Sequence, residues 1–287
     1  MTAMVVVDAL GRRLDLKNQP QRLVSLVPSL TEWLFDIGLG ARVVAVTDYC
    51  IEPAIALSGI PRIRGTKNPD RARIIALQPD LVIADQEENR ERDVQALTAA
   101  GIPVYVTAIR SVADVPDQYG RLATALGAAD AAAPGLADLC AALVQAKQRT
   151  AQRHIPTLTF IWRDPWMAVG AETYAGDLLA QCGAENLGRR LTGRYPRASL
   201  EAFMRLQPEV ILLPDEPYAF SERDRNAFEP YSEVPAVRNG RILLCDGMAL
   251  TWPGLRAIRA LPLFAELIAG GGEPMSCRGY NNRPYQD

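Results

Sequence analysis

The stretch Arg73-Ile74-Ile75-Ala76-Leu77-Gln78-Pro79-Asp80-Leu81-Val82-Ile83-Ala84-Asp85 returns 129 residues later as Ala202-Phe203-Met204-Arg205-Leu206-Gln207-Pro208-Glu209-Val210-Ile211-Leu212-Leu213-Pro214. In both copies a helical apolar period stops before Gln-Pro-acid and a continuous apolar strand follows. A strand that is apolar on both faces needs a sheet covered on both sides, so the repeat predicts two similar α/β lobes.

The signals around the repeat agree with it. After a hairpin-like lead (Met4–Val7, then Arg13–Leu16), strands are expected over 22–27, 43–46, 81–84 and 104–107. Helices are expected over 30–37 with Ser29 as N-cap, from Pro69-Asp70 to 77, and over 87–100. From 112 to about 152 alanine and leucine dominate with helical spacing, interrupted by Gly127 and Pro134-Gly135. The alternation then resumes, with strands at 157–161, 210–213 and 241–245 and helices at 175–182, 200–206 and 253–268. The reading is an α/β fold of two Rossmann-like lobes, 1–111 and 154–269. One long backbone helix over 112–153 joins them, a ligand cleft lies between the lobes, and a flexible tail occupies 270–287.

Composition narrows the function. With 287 residues, 48% hydrophobic and 22% charged, the chain is rich enough in apolar residues to fold. Its 31 Lys and Arg against 33 Asp and Glu leave a net charge of −2 without a basic run, which excludes nucleic acid as the main partner. Its longest apolar runs, such as Leu81-Val82-Ile83-Ala84, fall far short of the roughly 18 to 20 residues that cross a bilayer. No basic segment precedes the short apolar run at Met4–Val7, so the chain as written is expected in the cytoplasm, or in the periplasm if its true start lies upstream. Cys50, Cys140, Cys182, Cys245 and Cys277 are odd in number and lack CxxC pairing, which fits reduced thiols.

Ligands of open α/β sheets bind beyond the carboxyl ends of the strands. The loops there carry Pro28 and Ser29, Tyr49, Gln86 and Glu87, Trp162 and Trp166, Tyr218, and Trp252, which together are the expected ligand-binding residues. Three of the four tryptophans stand in these loops, which suits a large, flat, mostly apolar ligand. Trp33, at helical spacing with Leu30 and Leu34, reads as core.

A receptor for a bare metal ion needs several imidazoles and carboxylates, and His154 is the lone histidine, so any metal should arrive already chelated. A haem would draw on Tyr49 or Tyr218 as phenolate ligand, and an anionic siderophore on Arg163 or Arg194. No GxSxG elbow, P-loop or post-strand GxGxxG is present, so neither catalysis nor an intrinsic cofactor is expected; a hydrolase would have to rest on Asp48, Glu52 or Asp215 around an ordered water.

The run Arg22-Leu23-Val24-Ser25-Leu26-Val27-Pro28-Ser29-Leu30-Thr31-Glu32, then Gly38-Leu39-Gly40, Val43-Val44-Ala45-Val46-Thr47-Asp48-Tyr49 and Leu77-Gln78-Pro79-Asp80 resembles the periplasmic binding proteins of ABC importers for cobalamin and iron siderophores. Leu178-Leu179-Ala180-Gln181-Cys182-Gly183-Ala184-Glu185-Asn186 and Leu206-Gln207-Pro208-Glu209 follow in that family's order. The resemblance implies two lobes bridged by a helix that limits hinge motion, and it is greatest to the cobalamin-binding branch. It also implies a monomeric carrier that holds cobalamin or another corrinoid and delivers it to an ABC permease. Tyr49 then falls on a cleft aromatic, while Gln86 stands where cobalamin binders present a tryptophan. Glu201 matches a permease-docking glutamate, and the equivalent first-lobe position is Ala72, flanked by Arg71 and Arg73. The alternatives are a ferric siderophore or haem binding protein and a cytoplasmic corrinoid-processing enzyme or chaperone.

Overall fold

Both Gln-Pro-acid segments end their helices in the same backbone conformation. The computed structural model describes residues 4–150 and 152–270, and in it Gln78 (φ 48°) and Gln207 (φ 54°) are both left-handed. That turn stops the helix, and the following proline, which has no N–H to continue it, starts the run into the strand. The next residue pins the turn identically: Asp80 N donates to Arg22 O and Glu209 N to Pro156 O, each at 2.8 Å. The repeat read in the sequence is therefore a repeat of structure.

The chain divides into two units. One runs to Ala141 and takes in Trp252–Leu255; the other comprises Ala142–Thr251 and the chain from Arg256 on. The first contains β1 (Met4–Val7), β2 (Arg13–Leu16), β3 (Leu23–Ser25), α1 (Pro28–Asp36), β4 (Val43–Val46), α2 (Arg71–Ala76), β5 (Leu81–Asp85), α3 (Glu91–Ala99), β6 (Val104–Thr107) and α4 (Asp114–Ala125). Helix α5 (Ala129–Thr150) begins in the first unit and ends in the second. Then come β7 (Ile155–Trp162), β8 (Met167–Ala168), α6 (Tyr174–Gln181), β9 (Ala184–Asn186), α7 (Leu200–Met204), β10 (Val210–Pro214), α8 (Pro235–Arg238), β11 (Ile242–Cys245), α9 (Gly247–Thr251) and α10 (Ala257–Ala269).

The first unit's main sheet is parallel, ordered β4-β3-β5-β6, with β1 and β2 paired as an antiparallel hairpin apart from it. The second unit repeats that order as β9-β7-β10-β11, also parallel, and adds the short antiparallel β8 on β7. Every residue of β5, β6 and β10 is buried, the signature of strands covered on both faces. Val24, Val82, Leu97 and Val106 belong to the first unit's core. In the second, Phe160 meets Phe203 edge-on at 5.0 Å amid Leu158, Ile211 and Leu244, and each such side chain contributes about 1.5–3 kcal/mol by burial. Trp33 is core as expected, 1% exposed and 4.6 Å from Tyr119.

Several boundaries differ from the sequence reading for local reasons. Ser29 does not cap α1: Pro28, whose fixed φ suits the first helical position, makes Val27 the N-cap. Helix α3 begins at Glu91 rather than 87, because the intervening backbone is bound by Asp85 and Asn89 side chains, which compete with helix formation. The stretch expected as one connecting helix over 112–153 is two helices. They are broken at Gly127 (φ +64°), where an added Cβ would lie 1.8 Å from Gln19 Nε2, the group that donates to Leu126 O. The helix expected over 253–268 starts at Ala257, since Pro253 and Gly254 (φ +141°) are not helical. Strands β8 and β9, of two and three residues, carry too little periodicity to be seen in sequence. The tail beyond Gly270, including Cys277, lies outside the described residues.

Candidate functional site

In a sheet ordered second-first-third-fourth, chain connections leave the first and third strands in opposite directions and open a crevice at their carboxyl ends. In the first unit those strands are β3 and β5. Asn89 ties their ends together: its Oδ1 accepts from Asp85 N at 2.9 Å, and its Nδ2 donates to Leu26 O at 3.3 Å and to Thr66 O at 3.0 Å. Asp85 in turn accepts from Glu87 N at 2.8 Å and Thr107 Oγ1 at 2.7 Å. This framework presents Gln86, which is exposed, and Glu87, whose carbonyl accepts from the Lys67 ammonium. Pro28 and Ser29 are buried in the first turn of α1, so they shape the end of β3 and offer little surface. Tyr49, half-buried in the turn after β4, lies against Gly65, where an added Cβ would come within 3.0 Å of the ring.

Burial pushes the Asp85 carboxyl above its ordinary value of 3.8, against hydrogen bonds from Thr107, Glu87 and Glu88 that lower it. The folded chain thus holds this proton more tightly than the unfolded chain. Its contribution to stability is fully present below pH 3.8 and is lost as pH rises through the folded value. Asp85→Asn, isosteric and uncharged, should accordingly raise the urea midpoint at pH 7.5 more than at pH 4, and equal shifts at the two pH values would contradict the assignment.

In the second unit the corresponding strands are β7 and β10, and their ends carry an aromatic cluster. Trp162, the last residue of β7, meets Tyr218 edge-on at 5.7 Å. Tyr218 lies 4.6 Å from Phe220, and Phe220 stacks on Trp166 at 6.0 Å with 15° between the planes. Trp166 reaches back to the core through Phe160 at 4.8 Å and Phe228 at 5.5 Å, so it anchors the cluster while Trp162 and Tyr218, both half-buried, form its outer part. Burial raises the Tyr218 phenol, with Asp224 and Asp164 adding to the shift and Arg163 opposing it, which disfavours a phenolate there. Arg163 donates through Nη1 to Asp224 Oδ1 at 2.6 Å, lies 3.7 Å from Asp164 and covers the Trp166 ring at 5.5 Å. The Asp224 bond pushes the guanidinium further up.

The structure thus brings Trp162, Trp166 and Tyr218 together. It gathers Pro28, Ser29, Tyr49, Gln86 and Glu87 at the strand ends of the first unit. Trp252 is 5% exposed and belongs by contact to the first unit, beside Pro253, whose carbonyl accepts from Tyr119. Glu201, in the first turn of α7, is exposed and pairs with Arg205 at 2.5 Å. Sequence reasoning missed Phe220 and Asp224. The signal for Asp224 was present in Ser221-x-x-Asp224, a capping box that the structure forms at the start of the 3₁₀ segment Glu222–Tyr231. Among the described residues no group of three or more His, Cys, Asp or Glu converges as a metal site. No described helix is long and apolar enough to cross a membrane.

A periplasmic binding protein family model matches residues 23–249. The chain belongs to that family. Among its relatives is a vitamin B12-binding protein of Vibrio parahaemolyticus, 28% identical over 254 residues that cover 86% of this chain and 90% of the relative. A Bacillus subtilis protein named an uncharacterized ABC transporter substrate-binding lipoprotein is 28% identical over 273 residues, covering 92% and 85%. The crystal structure of the periplasmic vitamin B12 binding protein BtuF of Vibrio cholerae superposes with a TM-score of 0.79 at 22% identity, covering 88% of this binding protein and 98% of BtuF, and confirms the fold. These findings correct the cytoplasmic expectation: the relatives are periplasmic proteins or lipoproteins, which points to an extracytoplasmic location. The family is one of binding proteins rather than enzymes.

Proposed function

We propose that this binding protein captures a corrinoid, cobalamin first among the candidates, and hands it to an ABC importer. The observation that carries the reading is the aromatic cluster of Trp162, Tyr218, Phe220 and Trp166 at the ends of β7 and β10. Half-buried rings there offer flat faces to a large macrocycle at low entropic cost. The neighbouring cation, Arg163, is already held by Asp224, so the cluster suits a ligand edged with neutral amides better than haem or a ferric siderophore, whose carboxylates or catecholates call for a cationic partner. The vitamin B12-binding names of several relatives support the same choice. Tyr49, Gln86 and Glu87 are the proposed contacts on the first unit, and Glu201 the proposed docking carboxylate for the permease. The protein works as a monomer in this reading.

Calorimetric titration with cyanocobalamin, with haemin and a ferric siderophore in parallel, should give saturable cyanocobalamin binding at one site per chain. Uptake of haemin or the siderophore instead would reject the corrinoid.

A further inference from the structure

Arg163 is the cationic side chain beside the aromatic cluster, and the fold has bound it on two sides. Its Nη1 donates to Asp224 Oδ1 at 2.6 Å and its Nε faces Asp164 Oδ2 at 3.7 Å, while the guanidinium lies over Trp166. Asp224 is 5% exposed and is itself fixed, because its Oδ2 accepts from Ser221 N at 2.8 Å and Ser221 Oγ at 2.9 Å. The carboxylate of this pair is fixed and nearly buried while Arg163 stays partly exposed, and a charged hydrogen bond to a buried carboxylate is strong, so that removal of one partner is keenly felt. Two carboxylates thus share the one guanidinium. Tyr218, at the outer part of the cluster, feels all three charges.

Resting on the proposed corrinoid reading, we infer that Asp224 is the residue that sets which charge class of chelate the site accepts. By occupying Arg163 it denies a carboxylate-bearing ligand its cationic anchor. It also holds the loop between β7 and β8 so that Trp162 and Trp166 keep their places against Tyr218 and Phe220. Asp224 does not need to touch the ligand; it acts through Arg163 as a positioning residue. The same arrangement implies a latent second specificity: a guanidinium released from Asp224 would stand next to an aromatic face, the pairing that suits an anionic, flat chelate such as haem with its two propionates.

The test compares haemin with cyanocobalamin on the whole chain, with the ratio of the two affinities as the readout. In Asp224→Asn the amide oxygen still accepts from Ser221, but its N–H groups face the guanidinium and no charge holds it. The haemin-to-cyanocobalamin ratio should rise about tenfold or more, the value of one charged hydrogen bond gained by the ligand. The gain should vanish in Asp224→Asn combined with Arg163→Met, which a purely structural role for Asp224 would not produce. Arg163→Met alone should leave the wild-type ratio where it is, because the cation it removes is already occupied. A folded Asp224→Asn variant with an unchanged ratio overturns the inference. So does a fall in the haemin-to-cyanocobalamin ratio on Arg163→Met, and this second arm decides the matter even if Asp224→Asn does not fold. Failure of the corrinoid reading looks different: the wild-type chain would then not bind cyanocobalamin at all.

Discussion

Alanine at both Trp162 and Tyr218 should weaken cyanocobalamin binding by about thirtyfold, and alanine at either by about tenfold. Each substitution removes a half-buried ring from the outer part of the cluster, and the two rings touch at 5.7 Å. Because they support one another, the double substitution should differ from the sum of the single effects, and that coupling is measured directly by a double-mutant cycle. Tyr218→Phe, which keeps the face and loses only a phenol that burial already holds protonated, should stay within a few-fold of wild type. Calorimetry on the four variants and the wild type settles the point, and unchanged affinity in the double variant would remove the ligand from this cluster.

Asp8→Ala should destabilise the protein by about 3–5 kcal/mol. Asp8, 1% exposed, sits in the turn between β1 and β2. Its Oδ1 accepts from Leu10 N at 3.0 Å and Arg12 N at 2.9 Å. Its Oδ2 accepts from Arg12 Nε at 2.8 Å and from Val106 N at 3.3 Å. One carboxylate thus closes the hairpin and fastens it to β6, and Arg12 completes the link by donating to Val104 O. Alanine leaves all of these donors without their acceptor. Asparagine keeps one oxygen and should cost less than half as much. Urea unfolding of the two variants provides the measurement, and equal midpoints for Ala and Asn would show that the carboxylate's hydrogen bonds carry little of the effect.

How legible all this was in the sequence depended on the range of the interaction. The parallel strands could be read because a strand buried on both faces is apolar without interruption, as Leu81-Val82-Ile83-Ala84 and Val210-Ile211-Leu212-Leu213 are. The duplicated Gln-Pro-acid turn showed that two such sheets exist. Boundaries were lost where a side chain outbid the local period, as Asp85 and Asn89 do ahead of α3. The aromatic positions were visible as a count of rings in loops, but their division of labour was not. Trp166 anchors, Trp162 stands outward and Trp252 is buried in the other unit because of Phe160, Tyr218 and the path of the chain, all remote in sequence. The pairing of Arg163 with Asp224 spans 61 residues and has no local signature, although the capping box that fixes Asp224 does.

The brief return of Trp252–Leu255 to the first unit makes that unit discontinuous in the gene. No single cut yields two intact halves. A fragment ending at Ala141 would lack Pro253, and with it the carbonyl that receives the Tyr119 hydroxyl at 2.8 Å, while the remainder would carry Trp252 without the unit it belongs to by contact. During synthesis the first unit therefore waits for most of the second to be made before it is complete. A chain halted before residue 252 should remain open to protease at Tyr119 however long it is given to fold.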